Sequence, residues 1–257
     1  MDDQAAVSPR AGFWRRAVAL AVDSLIILLP AQLLVALLFF WTNGEIQGNF
    51  GIEAQNCVAT TFPVGLQTVI SNPTGVVDCR KSLFGLDTSR VLIVSRVTPG
   101  DIVTKGVSET FWLDADGQLT DRPGHDVGWA ALMLLFCYLL FFEVRTGAGL
   151  GKRLMSIRVA DARTPDRPGV PIAKAFGRYL LIFAAVIPSL LVQVFFLLRN
   201  KDLDSLDRLV GSPIYLASSY GAGFLGLLWL LWMVVAVCRK RDPVNDVLAG
   251  TVVIRAR

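Results

Sequence analysis

The sequence predicts a membrane α-helical protein: four transmembrane helices with a β-rich extracytoplasmic insertion between helices 1 and 2. Three observations predict it. First, charge-free apolar runs long enough to span a bilayer occupy Ser24–Trp41, Tyr179–Leu198 and Pro213–Cys238, and a shorter one occupies Val127–Phe142; a helical span needs about 20 residues. Second, the basic residues are distributed unevenly. Segments 1–16, 143–178 and 239–257 hold 3, 8 and 5 Lys/Arg, whereas 41–126 and 199–212 hold 6 and 3. Short basic segments stay in the cytoplasm, which puts both termini inside. Third, residues 41–126 carry ten acids against six bases and are rich in strand-like runs. The net charge of +4 then reflects topology, not nucleic-acid binding.

The expected organisation is residues 1–40 as cytoplasmic N-terminus and first helix, 41–126 as the insertion, and 127–257 as helices 2–4 with a cytoplasmic loop and tail. The first helix starts near Gly12 or Phe13 and ends near Trp41. Its apolar run is too long for a signal peptide's core and no small-x-small cleavage site follows, so it reads as a retained helix. Pro30 should kink it or loosen one turn, with Gln32 placed to satisfy the freed carbonyl. Asp23 is the anomaly. A carboxylate at that depth costs roughly 2.5–3.5 kcal/mol on insertion scales and faces a partner or water. Arg16 shares its helix face but lies about 10 Å away along the axis at 1.5 Å per residue. Side chains lean toward the helix N-terminus, so Arg16 leans away from Asp23. The partner must come from another helix, with Arg178 the first choice and water the second.

In the insertion, Ser89–Val97 is a β-branched run bounded by turn residues, and Phe111–Leu119 reads as a hairpin turning at Asp116-Gly117. The fragment Asp114-Ala-Asp116-Gly117 lacks the other ligands of a calcium loop. Cys57 and Cys79 both lie here, and on the oxidising side of a membrane such a pair forms a disulfide. Cys137 and Cys238 sit in apolar runs and read as packing residues.

After Val127–Phe142 comes a glycine-rich basic loop, Thr146-Gly-Ala-Gly-Leu-Gly-Lys-Arg153. It lacks the first Gly and the final Ser/Thr of a phosphate loop, so nucleotide binding is rejected. Lys152, Arg153 and Arg158 are expected at lipid headgroups, where each base near the surface adds about 1 kcal/mol. Alternation from Leu154 to Ala160 predicts a strand with Met155, Ile157 and Val159 on its apolar side. Lys174 and Arg178 stand one turn apart entering the third helix, and Pro188 interrupts that span. Gly221, Gly223 and Gly226 let another helix approach the last span. The tail ends with a turn and a β-branched strand, Asp246–Ile254.

These residues resemble the RDD family of bacterial membrane proteins, named for an arginine and two aspartates. Arg16 and Asp23 in Phe13–Asp23 resemble the first two, and Asp246 in Asn245-Asp-Val-Leu-Ala-Gly-Thr-Val-Val253 resembles the third. The glycine-rich turn with Gly-Lys-Arg and its following β-branched run, Thr146–Val159, is similar to the family's linking motif, and Arg178 looks like its basic residue early in the next helix. The usual Arg-Leu-x-Asp approach to the last aspartate is replaced by Asp242-Pro-Val-Asn-Asp246, and an echo of it stands at Leu206–Ser212. The insertion is larger than the family's usual loop. The resemblance implies the inner membrane of a bacterial cell, and either partnership with larger membrane assemblies or cation/proton antiport.

The candidate intramembrane charge pair or ion-coupling group is therefore Arg16, Asp23, Arg178 and Asp246. His125 is the single histidine, and no nucleophile–base set or metal cluster is recognisable, so neither enzyme activity, metal nor cofactor is expected. The expected partners are membrane lipid, other membrane proteins, or a second copy of the chain. The expected function is that of an accessory or assembly component of the inner membrane, and the alternative is a cation/proton antiporter that uses an intramembrane carboxylate.

Overall fold

The computed structural model describes residues 10–63, 66–68, 70, 72–98, 105–120, 124–199, 212–239 and 241–256. Most of the echo Leu206–Ser212 lies outside them. Two compact units appear, residues 26–134 and residues 1–25 with 135–257.

Helix α1 runs Phe13–Trp41 without a break through Pro30. Pro30 removes one N–H, but an unbroken run of helix-forming neighbours holds the turn. Gln32 does not satisfy the freed carbonyl; it is fully buried and its Nε2 donates to Gly48 O at 3.4 Å. Helix α2 is Gly128–Thr146, longer than its apolar run because Glu143 and Arg145 extend it.

The unit of residues 26–134 is built on a four-stranded antiparallel sheet in the order β2-β3-β4-β5: β2 Ala54–Ala59, β3 Gly75–Leu83, β4 Leu86–Thr98 and β5 Lys105–Trp112. The predicted run Ser89–Val97 is the body of β4. Alternation turns Leu92 and Val94 into a core with Ile70 and Leu113. Cys57 and Cys79 lie directly opposite in register and are disulfide-bonded. Two-residue strands β1 (Ile46–Gln47) and β6 (His125–Asp126) pair in parallel. The turn after β5 closes where expected: Asp114 Oδ1 accepts the Gln118 N–H at 2.7 Å and Gly117 adopts φ +88°. Gln47 is buried with its side chain fully used, donating to Gly44 O and Leu113 O and accepting the Arg90 N–H. Arg90 clamps Asp78 at 2.7 Å, and that hydrogen bond raises its pKa further.

In the other unit the loop after α2 is not a plain turn. It forms a short helix α3, Leu150–Leu154, and then strand β7, Ile157–Asp161. Strand β7 pairs antiparallel with the C-terminal strand β8, Thr251–Arg255. The apolar side of β7 is enclosed within this unit. Ile157 and Val159 pack with Val253, Ala11, Ala19 and Val170 in a closed core. Between them run α4 (Ile172–Phe183), α5 (Ile187–Arg199), α6 (Pro213–Cys238) and α7 (Val244–Ala249). Helix α7 occupies the place expected for a turn and ends at Gly250, whose φ is +66°.

The third expected span is bent by 63° between α4 and α5. The break covers residues 184–186, ahead of Pro188 and not at it. A proline cannot donate to the carbonyl four residues back, and its ring clashes with that carbonyl; for Pro188 that residue is Ala184. Of the three glycines in α6, only Gly226 meets a neighbour among the described residues: a Cβ there would collide with the Ala185 carbonyl. Trp229 Nε1 donates to Leu181 O at 3.1 Å beside it. Cys137 and Cys238 do not pack; both lie on outward faces. Among the described residues, three helices (α1, α2 and α6) are long and apolar enough to cross a membrane, or four spans if the bent pair counts as one.

Candidate functional site

The unit formed by residues 1–25 and 135–257 contains a ladder of alternating charges. Asp246 stands in the first turn of α7 with no exposed surface. Its Oδ2 accepts Arg16 Nη1 at 2.8 Å and its Oδ1 accepts Arg178 Nε at 2.6 Å. Arg178 reaches on with Nη1 to Glu143 Oε1 at 2.7 Å. The same Glu143 oxygen accepts from Lys152. The run Arg16–Asp246–Arg178–Glu143–Lys152 thus alternates in sign and draws one residue each from α1, α7, α4, α2 and α3. Taking such charges from water costs several kcal/mol per ion, which is recovered only when each is paired and hydrogen-bonded. Here each acid of the ladder meets two cations.

Asp23 lies beside this ladder but is not a rung of it. It is fully buried, and no Arg or Lys among the described residues comes within ion-pair distance. The expected partnership with Arg178 is therefore wrong. The reason is geometric: Arg178 is already committed to Asp246 and Glu143. Asp23 Oδ1 instead accepts the Tyr138 hydroxyl at 2.8 Å and the Gly151 N–H at 2.7 Å. The Tyr138 oxygen in turn accepts the Leu150 N–H at 2.9 Å. Two of the otherwise unbonded N–H groups at the start of α3 are satisfied from outside their own helix. A carboxylate near a helix N-terminus is also favoured by the backbone dipoles.

This geometry explains two of the three glycines of Thr146–Arg153, Gly149 and Gly151. A Cβ on Gly149 would stand 2.8 and 2.9 Å from the two Asp23 oxygens, and one on Gly151 would stand 3.0 Å from Asp23 Cγ and collide with the Ala19 carbonyl. The loop has the texture of an anion-cradling turn, and the anion it cradles is the chain's own carboxylate.

Lys152, expected at lipid headgroups, is turned inward. Its side chain is 12% exposed and bonds Glu143, because the first turn of α3 points it back at α2. Burial lowers its pKa, while Glu143 acts to raise it and Arg178 again lowers it. Arg153 is exposed, donates to Thr146 Oγ1 at 3.2 Å and lies over the Phe142 ring. Arg158 donates to the Pro165 carbonyl at 2.9 Å from an exposed position. Both remain at the surface.

A second tier of ion pairs sits outside the spanning helices. Lys174 Nζ bonds both oxygens of Asp161 at 2.7 Å, and these bonds, with the Arg163 N–H, hold the Asp161 carboxyl below its ordinary value. Arg10 donates to Asp242 at 2.7 Å, which raises the arginine. Lys174 and Arg178, one turn apart on α4, thus serve different acids: Lys174 pairs with Asp161, and Arg178 with Asp246 and Glu143.

Glu143 and Tyr138 did not emerge from the sequence as site residues. Glu143 follows the apolar run directly and reads as the first residue of a loop. Its position at the end of a span, in a chain that also brings Lys174 and Arg178 to a span's edge, is the signal that points to it. Among the described residues no three His, Cys, Asp or Glu side chains converge where a metal ion could sit.

Apolar helices whose polar centre is a ladder of buried ion pairs point to a membrane protein held together by charge inside an apolar setting. The model of the RDD family matches residues 115–250, more than half of the chain, and the chain belongs to that family. Asp246, Arg178 and the Thr146–Arg153 loop fall inside the match. Arg16 and Asp23 fall outside it, yet they meet those same residues in space. No curated protein and no solved structure matches the chain.

Proposed function

We propose that the chain is a non-enzymatic accessory or assembly component of the bacterial inner membrane. In this reading four segments span, both termini face the cytoplasm, and residues 41–126 lie outside. The observation that carries it is the ladder of alternating charges. A network in which every acid meets two cations is suited to locking helices together, not to taking up and releasing ions. The topology rests on the placement of Lys and Arg, on an even number of spans when α4 and α5 count as one, and on the disulfide, which suits an oxidising compartment. A locked helical unit carrying a separate folded sheet is a platform for partners.

The test is affinity purification of the tagged chain from native membranes in mild detergent. Co-purification of a membrane protein in a fixed ratio, or of a second copy, is the expected result. A chain that emerges alone, as a monomer, overturns the proposal.

A second reading, cation/proton antiport, is favoured by one specific observation. Asp23 Oδ2 is buried and has no hydrogen-bond partner; Glu143 Oε2 and Asp242 Oδ1 share that state, but among the described residues their carboxylates are ion-paired and that of Asp23 is not. Reconstituted liposomes with a pH dye and imposed Na⁺, Li⁺ or K⁺ gradients test it. The reading requires cation-dependent proton flux that is lost in Asp23→Asn at normal abundance. Absence of flux in the wild type removes it.

A further inference from the structure

The turn between β3 and β4 is built against the usual rules. Leu83 and Leu86 pair, leaving a two-residue loop of Phe84 and Gly85. Both adopt positive φ, +51° and +84°, as the favoured two-residue hairpin turn requires. Asn, Asp or Gly ordinarily fills the first position, and a bulky residue there is an outlier. Phe84 gains nothing inside the protein for this conformation, because 83% of it is exposed. Leu86 beside it is 50% exposed.

The same compact unit contains the last turns of α1. Phe40 and Trp41 there are 77% and 71% exposed. A space of about 420 Å³ lies between these turns and the hairpin, lined by Leu37, Phe40, Gly85, Leu86 and Asp87 among others. Helix end and hairpin tip therefore present one apolar surface around a shared gap. Trp and other aromatic residues at the end of an apolar helix mark the membrane–water boundary.

The charge nearest the tip is Asp87, directly after Leu86, and it is paired with a base further back on the facing strand. Arg80 and Lys81 stand three or four residues before Phe84, roughly 10–13 Å at about 3.3 Å per residue, and Arg80 pairs with Asp87 at 3.4 Å. Amphipathic elements at interfaces bury their apolar side about 5–10 Å into the headgroup and acyl boundary, and basic side chains reach back to the headgroups. The hairpin has that layout.

We propose that the β3–β4 hairpin dips its Phe84-Gly85-Leu86 tip into the bilayer leaflet at which α1 ends, so that lipid covers the apolar patch shared with Phe40 and Trp41. Continuity with the exposed end of α1, which already requires an apolar solvent, favours lipid over a protein partner. Lipid burial accounts at once for the exposed phenylalanine and for its retention in a strained turn position.

The experiment uses the full chain with Cys137→Ser and Cys238→Ser and the Cys57–Cys79 disulfide intact. One NBD label is attached at Phe84→Cys, or at Val97→Cys near the far end of β4, whose 13 residues extend roughly 40 Å at about 3.3 Å per residue. In nanodiscs of phosphatidylcholine and phosphatidylglycerol, the label at 84 should emit to the blue of that at 97. It should be quenched several-fold more strongly by doxyl-labelled lipid. Leu86→Cys should behave as Phe84→Cys does and supplies the reading if the turn variant misfolds. Water-like, unquenched emission at 84 and 86 overturns the proposal. Blue-shifted emission that doxyl lipid does not quench assigns the patch to protein and overturns it as well.

Discussion

Replacing Asp246 by asparagine keeps the shape of the side chain and removes its charge from the middle of the ladder. Asp246 has no exposed surface and takes guanidinium bonds at 2.6 and 2.8 Å. In Asp246→Asn, Arg178 keeps Glu143, but Arg16 keeps only the Ala11 carbonyl at 3.1 Å. Removing one partner of a buried pair costs about 3–5 kcal/mol. That is a large share of a typical total stability of about 5–15 kcal/mol. At about 2–4 °C per kcal/mol for a chain of this size, the melting temperature should fall by roughly 6–20 °C. The assay is thermal unfolding in detergent, followed by fluorescence-detected size exclusion, with membrane abundance measured in parallel. Arg178→Gln should cost more than Arg16→Gln, since Arg178 serves two acids and Arg16 one. The double variant Arg16→Gln/Asp246→Asn should fall short of the sum, because contacting residues couple by about 0.5–3 kcal/mol. An Asp246→Asn protein that melts within a degree or two of wild type, at equal abundance, refutes the view that the ladder holds the helices together.

The cradle around Asp23 makes Gly149→Ala destabilising by about 1–3 kcal/mol through overpacking, whereas Gly177→Ala on α4, with open space around it, should be neutral or stabilising by up to about 1 kcal/mol; the same melting assay separates them. Reducing the Cys57–Cys79 bond, which spans a sequence separation of 22, should cost about 3 kcal/mol, read as a lower melting temperature of wild type, but not of Cys57→Ser/Cys79→Ser, when reductant is added. The Asp161 carboxyl is held below its ordinary value by Lys174, so its contribution is complete above the unfolded value of about 3.9 and is lost as pH falls through the lowered folded value. Comparing melts of wild type and Lys174→Met between pH 7 and pH 3 checks this: the small gap at neutral pH should close at the acid end, and a gap that widens there contradicts the assignment.

Much of the architecture was legible in the residues because it depends on local transfer free energies. Ser24–Trp41 partitions as a helix whatever surrounds it, since an uncharged apolar run must hydrogen-bond its own backbone in lipid. Ser89–Val97 is β-branched and alternates, Asp116-Gly117 suits only a tight turn, and two cysteines in one insertion tend to pair. The partners of the charged groups were another matter. Arg16 meets Asp246 across 230 positions, Arg178 meets Asp246 across 68 and Glu143 across 35. Such pairings depend on where distant helices come to rest, to within a few tenths of an ångström, and neither hydropathy nor periodicity encodes that. Lys152 therefore read as a surface base and Glu143 as a loop residue, although both are rungs of one ladder, Glu143 buried and Lys152 mostly so. What the sequence by itself determined was which segments leave water and which residues are too polar to do so unaided. What only the tertiary structure decided was how each buried charge is compensated: Asp246 by two arginines, and Asp23 by a tyrosine hydroxyl and a glycine N–H, because ion pairing is a property of positions in space, while partitioning is a property of residues.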